Sequence, residues 1–200
     1  MKKFFLSALV ILLWGSVLNT SMAQNAEAEE EFQPYWGVVD EIGYGFLKID
    51  GAWAYKATIG ACYSFTDKFY AQGQIGYNSC NLHDLVKTGR YSSVTLDSKM
   101  HFITIPLEVG YRLTTEDRLW GIIPFAGFGF NIGLNGKSTF DDVKTDLEIG
   151  GKIGVEARVG LRLTLFGFQI IGSYHAPMNS KQEDFFGDEA YPELAIGYQF

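Results

Sequence analysis

Beyond residue 23 the chain has no run of about 18 consecutive apolar residues, which excludes a membrane-spanning helix in that part of the protein. It also lacks any long segment with a 3.6-residue apolar period, so no helical bundle is expected. Cysteine is scarce, with only Cys62 and Cys80 present. If the two lie on strands joined by a turn near Thr66 to Lys68, about 30 Å of strand separates them, far beyond the ~7 Å limit on Cα separation in a disulfide. Two unpaired thiols are expected. His83, His101 and His175 share no metal-ligand spacing, and with the cysteines far apart a zinc site is not expected. The Gly-rich PFAGFGFNIG does not precede a helix and is therefore no nucleotide loop. No cofactor is implied.

Positive charge is also in short supply. Of the 16 Lys and Arg, Lys2 and Lys3 belong to the leading segment, which leaves 14 against 23 acidic side chains and a formal charge of −9. That balance gives nucleic acid no surface to bind. The leading segment itself, MKKFFLSALVILLWGSVLNTSMAQ, places the two lysines before the apolar stretch Phe4 to Val17 and then offers the small-x-small sequence Ser21, Met22, Ala23. This predicts a secretory signal peptide over residues 1–23, with no Cys immediately after it to mark a lipoprotein. Residues 24–34, QNAEAEEEFQP, read as a solvated acidic tail. One folded domain, 35–200, follows.

That domain alternates with period two. From Glu148 to Leu163, Ile149, Ile153, Val155, Val159, Leu161 and Leu163 hold the odd positions, and Lys152, Glu156, Arg158 and Arg162 the even ones. His101 to Leu113 and Trp53 to Phe65 repeat the pattern. Each is a strand with one apolar and one polar face. Counting such segments predicts eight strands, near 35–48, 51–65, 68–81, 96–113, 118–134, 147–164, 167–177 and 190–200. Their links alternate between tight turns near 67, 116 and 166 and longer polar loops at 82–95, 135–146 and 178–189; the first link, Lys48 to Gly51, is short although it falls on the long side. The fold class is therefore all-β, an eight-stranded antiparallel up-and-down barrel.

Such a barrel faces water or lipid depending on which face points inward. Tyr63, Phe65, Phe69, Tyr111, Trp120, Phe168, Tyr198 and Phe200 all fall near the tight turns or the C-terminus, and a looser set (Phe46, Trp53, Tyr55, Tyr77, Tyr174) falls towards the other rim. Two aromatic belts are the mark of a transmembrane barrel, with apolar residues outward. The inward set is then Glu41, Lys56, Glu108, Arg112, Lys152, Glu156, Arg158, Arg162 and Glu193, nearly balanced in charge. Eight strands enclose a lumen just wide enough for side chains, so these residues should form a buried ion-pair network. Gly127, Gly129 and Gly133 on the fifth strand leave room for it.

The C-terminal YPELAIGYQF alternates Leu194, Ile196, Tyr198 and Phe200 with smaller or polar residues and stops on an aromatic. From residue 35 to the end, including IPLEVGYRL and PFAGFGFNIG, the chain resembles the small eight-stranded outer-membrane β-barrel domains. The resemblance implies that Leu194, Ile196, Tyr198 and Phe200 are an assembly signal read by the barrel-insertion machinery. It also implies residence among the lipids of a Gram-negative outer membrane, with termini periplasmic and longer loops extracellular. A non-enzymatic structural or surface-interaction role, its surface partner unspecified, is the first reading. A narrow pore is the second. The third is a lipid-modifying enzyme using Ser173 and His175, which share a face of the seventh strand but lack a positioned acid in the sequence.

Overall fold

The computed structural model describes residues 33–47, 52–87, 93–113, 120–140, 143–186 and 188–200. The predicted signal peptide lies outside them, as do all but the last two residues of the acidic tail. The chain forms β1 (Tyr35–Phe46), β2 (Trp53–Ser64), β3 (Phe69–Lys87), β4 (Ser93–Tyr111), β5 (Trp120–Phe140), β6 (Val143–Leu147), β7 (Ile153–Leu165), β8 (Phe168–Pro177), a short helix α1 (Ser180–Phe186) and β9 (Tyr191–Gln199). Antiparallel pairing runs β1-β2-β3-β4-β5-β7-β8-β9 and returns from β9 to β1, with Val39 opposite Gln199 and Gly45 opposite Glu193. Eight strands thus close on themselves, and among the described residues β6 pairs only with the far end of β5.

Turn chemistry explains the tight rim. Thr66 Oγ1 accepts from the Phe69 amide at 2.8 Å and the Lys68 amide at 3.2 Å, closing the β2–β3 turn. Phe166 and Gly167 join β7 to β8 with φ of 51° and 84°, the two positive values of a type I′ hairpin that matches strand twist. At the opposite rim the segments read as loops continue as paired strands. β3 and β4 stay in register out to Lys87 and Ser93, and β5 pairs with β6 out to Phe140 and Val143.

Apolar side chains point outward. Ile59, Ile75, Leu107, Val109, Val159, Leu161, Ile170 and Ile196 are all exposed, between 44% and 63%. Around the tight rim Trp36 packs on Tyr63, Phe69 on Tyr111 and Phe168 on Tyr198 at ring-centroid distances of 4.6, 4.8 and 5.1 Å. Towards the other rim Tyr44 stacks on Trp53 and Tyr55 meets Tyr77 edge-on. The two belts bracket an apolar band crossed by strands of at least nine residues, as a bilayer requires. Cys62 and Cys80 are both free and buried, opposite Gln72 and Ala54 on the β2–β3 ladder.

Two further features depart from the sequence reading. The strand expected over 147–164 is interrupted between β6 and β7, where Gly151 turns at φ 72° and donates to Gly133 O at 2.8 Å. Parity is lost there. Ile149 turns inward and is buried, and Lys152, expected in the lumen, stands exposed in the turn. The second lies within the loop expected over 178–189, where Ser180–Phe186 fold back as α1 into the barrel mouth.

Candidate functional site: the barrel lumen

The inward face is stacked in three layers. Next to the tight rim Val39, Cys62, Tyr70 and Ile123 form a small apolar plug. Towards the opposite mouth Met100, Phe102, Ile149, Phe185, Phe186 and Tyr191 belong to a larger one. α1 supplies two of its rings. Asn179 starts that helix by accepting from the Gln182 amide at 2.9 Å, and its own amide donates to Ile153 O at 3.0 Å, which pins the helix to β7. Phe185 and Phe186 then meet Phe102 at 4.7 and 5.2 Å.

Between the plugs lies the charged layer. Lys56 Nζ reaches Glu193 Oε1 at 2.6 Å and Glu41 Oε1 at 2.8 Å. Arg158 Nη1 sits 2.5 Å from Glu108 Oε1, and its Nη2 lies 3.5 Å from Glu41 and 3.6 Å from Glu193. Arg162 donates to Glu108 Oε2 at 3.0 Å and to the Tyr70 hydroxyl, with its guanidinium 5.0 Å from the centre of the Phe125 ring. Each of these side chains except Tyr70 is at least 95% buried. Unpaired, such charges would be untenable; shared among several partners, they fill the core. The glycines leave space for this layer, since a Cβ at Gly129 would lie 2.6 Å from Glu156 Oε1 and one at Gly43 2.9 Å from Glu193.

The structure brings Glu41, Lys56, Glu108, Glu156, Arg158, Arg162 and Glu193 into this layer and leaves two expected members out. Lys152 is displaced by the turn at Gly151. Arg112 lies just past the end of β4, half-buried, where its amide donates to Lys68 O at 2.7 Å and its side chain joins none of these carboxylates. Sequence reasoning missed Tyr70, Gln182 and Tyr191 as members. Tyr70 shares inward parity with Gln72 and Gln74, so alternation pointed to it; Gln182 arrives from a loop, where no periodicity guides.

Ser173, His175 and Glu156 stand in a line. Ser173 Oγ is 2.9 Å from His175 Nε2, and His175 Nδ1 is 2.8 Å from Glu156 Oε1, the connectivity of a serine hydrolase with the acid that the sequence did not reveal. A second carboxylate stands beside this line, with Glu193 Oε1 3.6 Å from Nε2. Tyr191 stacks on the imidazole at 4.9 Å, and Ser173 is flanked in the ladder by Gly160 and Glu193. Gln182 Nε2 and the Tyr191 hydroxyl donate to Glu156 Oε2 at 2.7 and 3.0 Å, so the acid is shared with the mouth of the barrel. Among the described residues no group of three or more His, Cys, Asp or Glu is placed to hold a metal ion.

Comparison with known proteins agrees with this architecture. The family described as outer membrane protein β-barrel domain matches residues 12–179. A major outer membrane protein from Thermus thermophilus superimposes with a TM-score of 0.50 at 12% identity, covering 83% of this chain and 100% of that one. The N-terminal β-barrel domain of Pseudomonas aeruginosa OprF gives 0.47 at 18% identity, with 84% and 100% covered. Neisserial surface protein A gives 0.41 at 13% identity, with 83% and 95% covered. No curated protein matches the sequence.

Proposed function

Because the chain belongs to the outer membrane protein β-barrel domain family, we propose that it is a non-conducting, non-enzymatic barrel of the bacterial outer membrane whose role is exercised by its protruding hairpins. The filled lumen is the observation that carries this reading. Two apolar plugs and a paired charged layer occupy the interior from one rim to the other, leaving side chains rather than a channel on the barrel axis. The serine, histidine and glutamate line is part of that packing.

The hairpins give the other half of the argument. β3, β4 and β5 have 19, 19 and 21 residues against 12 in β1 and β2, so they run on by about 20 to 30 Å at ~3.3 Å per residue. Tight turns inside and long connections outside is the arrangement of bacterial barrels, which puts both chain ends on the periplasmic side and the β3–β4 and β5–β6 hairpins at the cell surface. In this reading Leu194, Ile196, Tyr198 and Phe200 serve the insertion machinery, and the hairpins meet a surface partner. Planar-bilayer recording tests the closed lumen: no unitary conductance is expected from the folded protein, and a reproducible channel would overturn it. Protease shaving of intact cells tests the orientation, with cleavage expected in the hairpins.

A further inference from the structure

Along the outward face of β4 the side chains run Leu107, Ile105, Ile103, His101 and then Lys99, so Lys99 stands at the first position beyond the apolar band and the Tyr77–His101 contact. Directly opposite it on β5 is Lys137, and on β3 is Asn81, itself opposite the belt residue Trp53. One step further out, Thr139 of β5 faces Lys144 of β6. Lys99, Lys137 and Lys144 are all exposed and, with Trp53, Asn81 and Thr139, line a cavity of about 580 Å³. Asp97 lines it too and Asp146 stands directly opposite Lys137 on β6, so two carboxylates share the patch with the three ammonium groups. Like charges directly opposite on a ladder are destabilising, and this cluster occurs in a chain that is acidic as a whole.

We propose that this concave basic patch binds the phosphate of an anionic membrane lipid, one whose headgroup carries no compensating cation. The proposal rests on the membrane reading above, which fixes what lies beside the barrel at this depth. Acyl chains would lie along Ile103 and Ile105, the phosphate would reach Lys99 and Lys137, and Lys144, Thr139 and the Asn81 amide would supply further donors. A tetrahedral anion suits such a convergent donor set, and the attraction is strongest at the edge of the low-dielectric band.

The test uses Trp53 as reporter, in a protein where it is the sole tryptophan (Trp14→Phe, Trp36→Phe, Trp120→Phe). The barrel is reconstituted in vesicles of phosphatidylcholine and phosphatidylglycerol in which one or the other lipid carries brominated chains. Stronger quenching by brominated phosphatidylglycerol is expected, an apparent enrichment of roughly five- to tenfold that declines with salt. Lys99→Gln, Lys137→Gln and Lys144→Gln together should bring it near unity while quenching by brominated phosphatidylcholine persists. Equal quenching by both lipids in the parent, or an enrichment that survives the triple substitution, would overturn the proposal. Inorganic phosphate should reduce the enrichment more than chloride does at equal ionic strength, and an equal loss with both would overturn the site by assigning the enrichment to general screening. If neither lipid quenches Trp53, the membrane reading itself falls.

Discussion

Gln182, carried into the barrel mouth on α1, donates to Glu156 Oε2 at 2.7 Å, so a loop residue completes the same carboxylate that holds His175 on its other oxygen. The mouth and the charged layer are therefore one unit. Gln182→Leu keeps the volume and removes the donor, leaving Glu156 short of a partner in a buried site. The expected cost is about 1 to 3 kcal/mol. Urea unfolding of the barrel in lipid measures it, and amide exchange in residues 180–186 should accelerate in parallel.

Arg158 touches three carboxylates, Glu108, Glu41 and Glu193. Removing it in Arg158→Ala leaves Lys56 and Arg162 alone to balance these three buried carboxylates and should cost about 3 to 5 kcal/mol. Lys152→Ala, at an exposed turn, should stay within about 0.5 kcal/mol of the parent. Comparison of the temperatures at which the folded band is lost on unheated gels separates the two. Equal behaviour would remove the distinction between lumen and turn.

Gly129→Ala places a methyl group 2.6 Å from Glu156 Oε1 and must push that carboxylate off His175 or bend the strand. Overpacking of this kind costs about 1 to 3 kcal/mol. Unfolding by urea checks it. Ala157→Gly, on the outer face of the adjoining strand, is the control for an equal change in size and should cost no more than about 1 kcal/mol.

The closed barrel was legible because alternation is physically obligatory where one face meets lipid and the other a packed lumen. Glu108, Glu156, Arg158 and Arg162 could be placed by parity alone, and Gly167 marked its turn. Parity failed at Lys152 because the Gly150–Gly151 turn interrupts the strand without changing its composition. It failed at Arg112 because being inward in register does not reach beyond the strand end. The α1 plug was hidden for a different reason. Phe185 and Phe186 lie in a segment too short for periodicity, and the fit of the helix to the mouth exists only in three dimensions, as in the space left by Gly154, where a Cβ would collide with Gln182. The acid of the serine and histidine line was equally hidden, since Glu156 meets His175 across strands.

Phe200 closes the last strand with its amide donating to Val38 O at 2.8 Å and its ring 4.6 Å from Tyr198. If the terminal aromatic is a recognition element, deleting Phe200 should lower outer-membrane levels in cells several-fold, a larger effect than the loss of one seam hydrogen bond, worth ~1 kcal/mol, produces in detergent refolding. Quantitative blotting of membrane fractions against refolding yield makes the comparison. Parallel losses in both would assign Phe200 to stability alone.

A transmembrane barrel requires neighbouring residues to face lipid and lumen in turn, and Val159 beside Arg158 offers the sharpest reading of that arrangement. Val159 is 57% exposed and Arg158 1%. A nitroxide attached at Val159→Cys, with Cys62→Ala and Cys80→Ala removing the native thiols, reports its surroundings through collisions with oxygen, which concentrates in lipid, and with a water-soluble nickel chelate. The barrel described here predicts high accessibility to oxygen and almost none to the chelate. A label reached by the chelate, or sealed from both, would contradict it.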